Sequence, residues 1–193
     1  MEESDAAAIE LARAGHSEGF RILVERHSRG VFRLAYRMTG IEFDAEDVVQ
    51  ETFLRAHRQL DRYESRSAFS TWLYRIASNY ALDLLRSRKR QEDRHMSVTQ
   101  AAEDSEQTDV FERISAHDPS PERALYNQQV RVKLDLAMKQ LSDQERTAFV
   151  LRHFEGMSIE QIGSVLSIGE SATKNSIFRA VRKLREALTP VIA

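Results

Sequence analysis

Residues 44–90, DAEDVVQETFLRAHRQLDRYESRSAFSTWLYRIASNYALDLLRSRKR, hold two apolar stripes at helical spacing with a polar loop between them, and this pattern decides the fold. In the first half Val48, Thr52 and Ala56 recur in step, with Val49, Phe53 and Leu60 beside them, so one helix face turns to a core. Asp44 stands before it as an N-cap candidate, and Glu46 and Asp47 fall in a first turn that favours negative charge. In the second half Trp72, Leu73, Ile76, Ala77, Tyr80, Ala81, Leu84 and Leu85 trace another stripe, which ends in the basic cluster Arg86, Arg88, Lys89 and Arg90. Trp72 lies inside that stripe and reads as a core residue. The loop, residues 62–69, sets Tyr63 and Phe69 among Arg62 and Arg66. Aromatic faces beside cations suit the unstacked bases and phosphates of a single nucleic-acid strand.

Outward from this stretch the charge is segregated. The 193 residues fit one ordinary domain or two small ones, with a net charge of -2. Residues 1–91 hold 15 Lys/Arg against 14 Asp/Glu, residues 92–122 hold 2 against 9, and residues 123–193 hold 11 against 7. With a near-neutral start, an acidic middle and a basic end, the neutral average does not argue against nucleic-acid binding. The absence of cysteine excludes disulfides and Cys-ligated zinc and fits an intracellular protein. The six histidines are scattered without His-x-x-x-His pairing, so no metal site is expected. No apolar run approaches the roughly 20 residues of a membrane span, and the acidic N-terminus lacks a signal-peptide pattern. With 7 Gly, 3 Pro and no sustained two-residue alternation, the chain reads as all-α.

Taken in order, residues 5–14 form a short helix stopped by Gly15. Ser17 then caps a helix with Phe20, Leu23, Val24, His27, Val31, Leu34, Ala35 and Met38 on one face, and Thr39-Gly40 ends it. His27 on that face reads as a core or boundary histidine. With the two helices of residues 44–90 these complete an N-terminal bundle ending near Arg90. Residues 92–122, polar, acidic and carrying Pro119 and Pro121, read as a linker or partly disordered segment. Such a hinge implies two domains that tumble semi-independently in the free protein.

The C-terminal part opens with a helix from about Glu122 to Lys139. Ser142-Asp143-Gln144-Glu145 and Ser158-Ile159-Glu160-Gln161 are capping boxes that begin two further helices, the first closed by Gly156. The turn Ser167-Ile168-Gly169-Glu170 leads to a last helix from about Ser171, with Ile177, Val181, Leu184 and Leu188 as its expected buried stripe. A short helix, a turn and a second amphipathic helix make a helix-turn-helix, whose second helix would offer Ser171, Ala172, Thr173, Lys174, Asn175 and Phe178 to a major groove. Arg179, Arg182, Lys183 and Arg185 follow, suited to phosphates.

These pieces, in this order, resemble bacterial RNA polymerase sigma factors of the extracytoplasmic-function (ECF) group of the sigma-70 family. The resemblance rests on residues 44–60 (DAEDVVQETFLRAHRQL), 67–79 (SAFSTWLYRIASN), 141–163 (LSDQERTAFVLRHFEGMSIEQIG) and 174–185 (KNSIFRAVRKLR). It implies two small helical domains, sigma two over 1–91 and sigma four over 123–193, joined by a flexible acidic linker over 92–122. It implies no catalysis and no cofactor, and the residues agree in supplying no nucleophile, paired acids or metal cluster. The implied partners are core RNA polymerase, through the beta-prime clamp helices and the beta flap, promoter DNA both duplex and single-stranded, and an anti-sigma factor. The implied location is cytoplasmic, with the nucleoid in the holoenzyme or at the membrane through an anti-sigma factor, and without membrane insertion.

The resemblance also places roles. Asp47, Gln50 and Glu51 match the polar positions that meet the clamp helices. Arg62, Tyr63, Arg66, Phe69 and Asn79 match the pocket that captures a flipped base of the -10 element, where stacking and hydrogen bonds must return the cost of extrusion. Arg86, Arg88, Lys89 and Arg90 would hold phosphates of duplex or fork. Lys174, Asn175, Ser176, Phe178, Arg179, Arg182 and Lys183 match the reader of the -35 element. Ser176 stands where the family often has Arg, and Ser cannot make the bidentate contact to guanine, so base preference there stays open. Gly169 stands where the turn usually has Pro. Without the resemblance, the residues also admit a one-component helix-turn-helix regulator or a helical adaptor that binds no DNA.

Overall fold

The computed structural model describes residues 4–95, 132–134 and 136–192, with residues 92–95 and 189–192 described by their helical backbone alone. Beyond position 95 the expected linker lies outside the described residues, as does the first part of the helix expected from Glu122. The described residues form helices and no strands.

Helix α1 (Asp5–Arg13) is capped by Ser4, whose hydroxyl accepts from the Ala7 N–H. Helix α2 (Ser17–Thr39) begins at Ser17 instead of being capped by it, because His16 occupies the N-cap position. It ends at Gly40, whose φ of 73° is a left-handed conformation that costs glycine no Cβ clash. Helix α3 (Glu42–Gln59) runs into a 3-10 turn, Leu60–Arg62, and helix α4 (Phe69–His95) continues past the expected end near Arg90. Leu23, Val31, Leu34, Ala35 and Met38 of α2 meet Val48, Phe53 and Ala56 of α3 and Leu73, Ala77 and Ala81 of α4. Each fully buried leucine there contributes about 2 kcal/mol relative to exposure. Trp72 is partly buried against this core, as its position in the stripe predicts. His27 Nε2 donates to the Asp5 carboxylate at 2.9 Å and the ring packs edge-on against Phe69, the boundary role expected of it.

Asp44 is not an N-cap. Helix α3 starts before it, Ile41 takes the cap position, and Asp44 is buried within the first turn. Its carboxylate is held by the Arg88 guanidinium, with Oδ1 accepting from Nη2 at 2.9 Å and Oδ2 at 2.7 Å from Nη1. A buried carboxylate needs such a partner, and local sequence could not show one 44 positions away.

In the C-terminal part, helical residues 132–134 and 136–139 precede α5 (Asp143–His153), α6 (Ile159–Leu166) and α7 (Glu170–Ile192). Both expected capping boxes are present, Ser142 with Glu145 and Ser158 with Gln161. Helices α6 and α7 form the helix-turn-helix. Its turn passes through Ser167 in a left-handed conformation, φ 56°. At Gly163 a Cβ would lie 2.9 Å from the Ile168 carbonyl, so only glycine lets the turn close on α6. The buried side of α7 is Thr173, Ser176, Ala180 and Leu184, with Ile177 and Val181 at its margin, so the expected stripe is rotated toward the small polar residues.

The two groups of helices do not stand apart. Ala148, Val150 and Leu151 of α5, Met157, and Ile162 and Val165 of α6 belong to one continuous apolar cluster with the α2–α4 core. Arg146 spans the junction, its Nη1 donating to the Met38 carbonyl at 2.9 Å and its Nε to the Met138 carbonyl at 3.0 Å. Semi-independent domains are therefore not what this arrangement shows. A shared apolar core ties them.

Candidate nucleic-acid and partner interfaces

The exposed side of α7 is built by exclusion. At about 100° per residue, burial of Thr173, Ser176, Ala180 and Leu184 turns Lys174, Asn175, Phe178, Arg179 and Arg182 outward together. Phe178 is 65 % exposed, an unusual position for so large an apolar ring. Lys174 pairs with Glu170 at 2.5 Å and Arg182 with Glu186 at 3.7 Å, exposed contacts that a phosphate can displace at little cost. Two expected readers are not on this face. Ser176 is 5 % exposed, donates to the Ala172 carbonyl and accepts from Gln144, so it braces α7 on α5. Lys183 lies 2.6 Å from Glu145 and serves the same junction. Thr173, also expected at the groove, is fully buried with its hydroxyl on the Gly169 carbonyl. The missing Arg at position 176 thus has no bearing on base contact in this geometry.

Around residues 62–69 the two aromatics are structural. Tyr63 and Phe69 are 7 % and 2 % exposed, and with Trp72 they form one aromatic cluster with ring centroids 5.2–5.5 Å apart. Neither offers a free face to a base. The Tyr63 hydroxyl donates to the Ser67 carbonyl at 2.6 Å, and Arg13 donates to the Leu60 and Tyr63 carbonyls, so the loop is pinned at its base. The cluster could not be told from a stacking platform by sequence, since both need aromatics in a loop. Arg62, Arg66 and Asn79 are exposed, Arg66 being paired with Glu64 at 2.7 Å. Of the basic cluster, Arg86, Lys89 and Arg90 are exposed, while Arg88 is committed to Asp44.

On α3, Gln50 is exposed and Asp47 and Glu51 are half-buried, Glu51 accepting from Arg55 at 2.6 Å. Phe43 and Leu54, which sequence reading passed over, are exposed at 70 % and 44 %. Positions 43, 47, 50 and 54 fall on one line of the helix. The face therefore flanks two polar side chains with two large apolar ones, which suits a protein partner better than water. The signal was available in sequence as two large apolar residues outside the buried stripe. Among the described residues no group of His, Asp and Glu could hold a metal ion, and no helix is long and apolar enough to cross a membrane.

Residues 23–91 match the family described as Sigma-70 region 2, and residues 131–184 match Sigma-70, region 4. The RNA polymerase sigma-H factor of Pseudomonas aeruginosa is 33% identical over 99% of this chain and 97% of its own length. The ECF RNA polymerase sigma factor SigW of Bacillus subtilis is 31% identical over 97% of this chain and 98% of its own. The ECF sigma factor SigE of Mycolicibacterium smegmatis is 36% identical over 86% of this chain, which spans only 60% of that protein. Among solved structures, CnrH in complex with the cytosolic domain of CnrY has a TM-score of 0.62 at 25% identity, over 97% of this chain and 99% of that one. The sigma factor RpoE of Bartonella quintana, in complex with the anti-sigma factor NepR, shares the fold at a TM-score of 0.65 and 20% identity, over 88% of this chain and 96% of that one.

Proposed function

The chain belongs to the ECF group of RNA polymerase sigma factors, and from that premise we propose that it directs core polymerase to promoters by reading -35 and -10 elements and trapping melted non-template DNA. The observation that carries the DNA-reading half is the outward face of α7, where Lys174, Asn175, Phe178, Arg179 and Arg182 stand together behind a helix-turn-helix whose first helix opens on a capping box. Asn can pair with adenine and an exposed Phe can cover a thymine methyl, while the cations neutralise phosphates. Arg62, Arg66 and Asn79 are the accessible groups for a flipped base, around a loop that Tyr63 and Phe69 hold rigid. A rigid pocket loses no ordering entropy when it captures the base. Exposed Arg86, Lys89 and Arg90 would hold the adjoining backbone.

The α3 face is the proposed clamp-helix contact, in which Asp47, Gln50 and Glu51 supply polarity and Phe43 and Leu54 supply apolar area. The beta flap and an anti-sigma factor are the other proposed protein partners, the latter supported by the complexes in which proteins of this fold were captured. No enzymatic role is proposed, because the work is binding alone, and the setting is the cytoplasm. Run-off transcription with core polymerase tests the reading. Transcripts are expected only with the chain present and to fall when Lys174→Ala and Arg179→Ala are introduced, by about 1–3 kcal/mol per lost base contact. Duplex binding with no transcription would favour a one-component regulator instead.

A further inference from the structure

Helix α2 is tied down at both ends. Near its C-terminal end Arg37 pairs with Glu155, just after α5, at 3.3 Å. Its N-terminal half carries α1, a helix that precedes the residues matched to Sigma-70 region 2. The two helices meet closely. A Cβ at Gly19 would collide with the Ala8 carbonyl and lie 2.5 Å from the Ala12 backbone nitrogen, so only glycine lets the backbones approach this far. Ala8 and Ile9 of α1 are buried in the contact.

Both ends of α1 reach the loop of residues 62–69. From the last turn, Arg13 Nη2 donates to the Leu60 carbonyl at 3.0 Å and to the Tyr63 carbonyl, while Nη1 meets Glu10 at 3.2 Å. In the first turn, Asp5 accepts from His27 Nε2 at 2.9 Å and pairs with Arg26. The His27 ring in turn lies edge-on to Phe69, with centroids 5.4 Å apart. One helix about 13 Å long thus fixes the entry of the loop directly and its exit through His27. Between these anchors the Tyr63 hydroxyl donates to the Ser67 carbonyl, and Ser65 sits at a φ of 55°, uncommon for a residue with a Cβ. A backbone in that region persists where its surroundings impose it. Exposed Arg62 and Arg66 ride on this frame.

We propose that α1 is the frame of the base-capturing loop, with Arg13 and Asp5 as positioning residues that set how sharply the loop discriminates among bases of the melted strand. They act through two carbonyls at one end of the loop and one aromatic ring at the other, without contacting DNA. A pocket rejects a wrong base only while its polar groups stay in a fixed arrangement, because a loop free to relax can satisfy the wrong base as well. Two anchors on one rigid helix hold the loop's ends at a constant separation. The inference rests on the promoter reading above, whereas the framing of the loop is a property of the free chain.

Holoenzyme made from core polymerase and the full chain can be mixed with a pool of randomised single-stranded DNA, and the retained strands sequenced. The unchanged chain should enrich one base at a defined position. Arg13→Ala and Asp5→Ala should each cut that enrichment by about fivefold or more. Arg13→Lys, which keeps a donor for the carbonyls, and Asp5→Asn, which keeps an acceptor for His27, should recover part of it. Partial unfolding lowers the amount of DNA retained but leaves the ratio of bases among retained strands unchanged. In the free chain, amide exchange of the loop should be faster in both alanine variants. Unaltered exchange overturns the framing. Lower retention with an unaltered base ratio in both variants makes α1 a brace of the fold alone and overturns the positioning role. No base preference in the unchanged holoenzyme overturns the -10 reading, and the positioning role with it.

Discussion

Glu145 shows how one residue can serve two levels of structure. Its carboxylate accepts from the Ser142 backbone N–H at 3.0 Å as the return half of a capping box, and from Lys183 of α7 at 2.6 Å. Burial by itself would raise its pKa, but the Lys183 and Ser142 hydrogen bonds outweigh burial and hold it below the ordinary 4.5. A depressed folded value means this stabilisation is fully present above pH 4.5 and is lost as pH falls through the folded value. Glu145→Gln keeps the capping box, since Gln serves at that position, and removes only the charge. Stability at neutral pH should fall by about 1 kcal/mol, modest because Lys183 is partly exposed. The difference from the unchanged protein should shrink and vanish in denaturant titrations as pH falls through that depressed folded value. A difference that persists in acid would assign the effect to packing.

At the scale of the element, the helix-turn-helix depends on a close approach that one methyl group would prevent. A Cβ at Gly163 meets the Ile168 carbonyl of the turn at 2.9 Å and the Thr173 hydroxyl of α7 at 3.2 Å. Gly163→Ala should therefore cost about 1–3 kcal/mol despite its better helix propensity. Denaturant unfolding would measure it, and a gain in stability would show that the turn yields. Helix α3 makes the opposite case, an element whose outer face is free for a partner. Asp47→Lys with Glu51→Lys should abolish binding to core polymerase while circular dichroism stays unchanged, because neither side chain is in the core. Unaltered affinity of this pair would remove the clamp-helix assignment.

For the whole molecule, the continuous apolar cluster running from α2 through α6 predicts cooperative behaviour. Calorimetry of the full chain should show a single unfolding transition, since opening the junction exposes Val150, Leu151, Ile162 and Val165 and weakens both sides at once. Arg37→Glu should split or broaden that transition, and adding Glu155→Arg should restore it. Two separate transitions in the unchanged protein would mean the halves unfold independently.

Local signals determined much of this protein. The helices, the two capping boxes, the Gly40 stop and the helix-turn-helix could all be read because each arises between residues within a turn or two of one another. The structure leaves Lys174, Asn175, Phe178 and Arg179 exposed on α7. Tertiary structure decided what periodicity leaves open. Small polar residues can face either core or water, so only packing on α5 shows that Ser176 and Thr173 belong to the buried side of α7. Aromatics in a loop can stack on a base or on each other, and Tyr63 and Phe69 stack on each other and on Trp72. The pairings of Asp44 with Arg88 and Arg37 with Glu155 join residues 44 and 118 positions apart. Charge complementarity acts through space, and no rule of local spacing encodes which distant partner a buried charge will find.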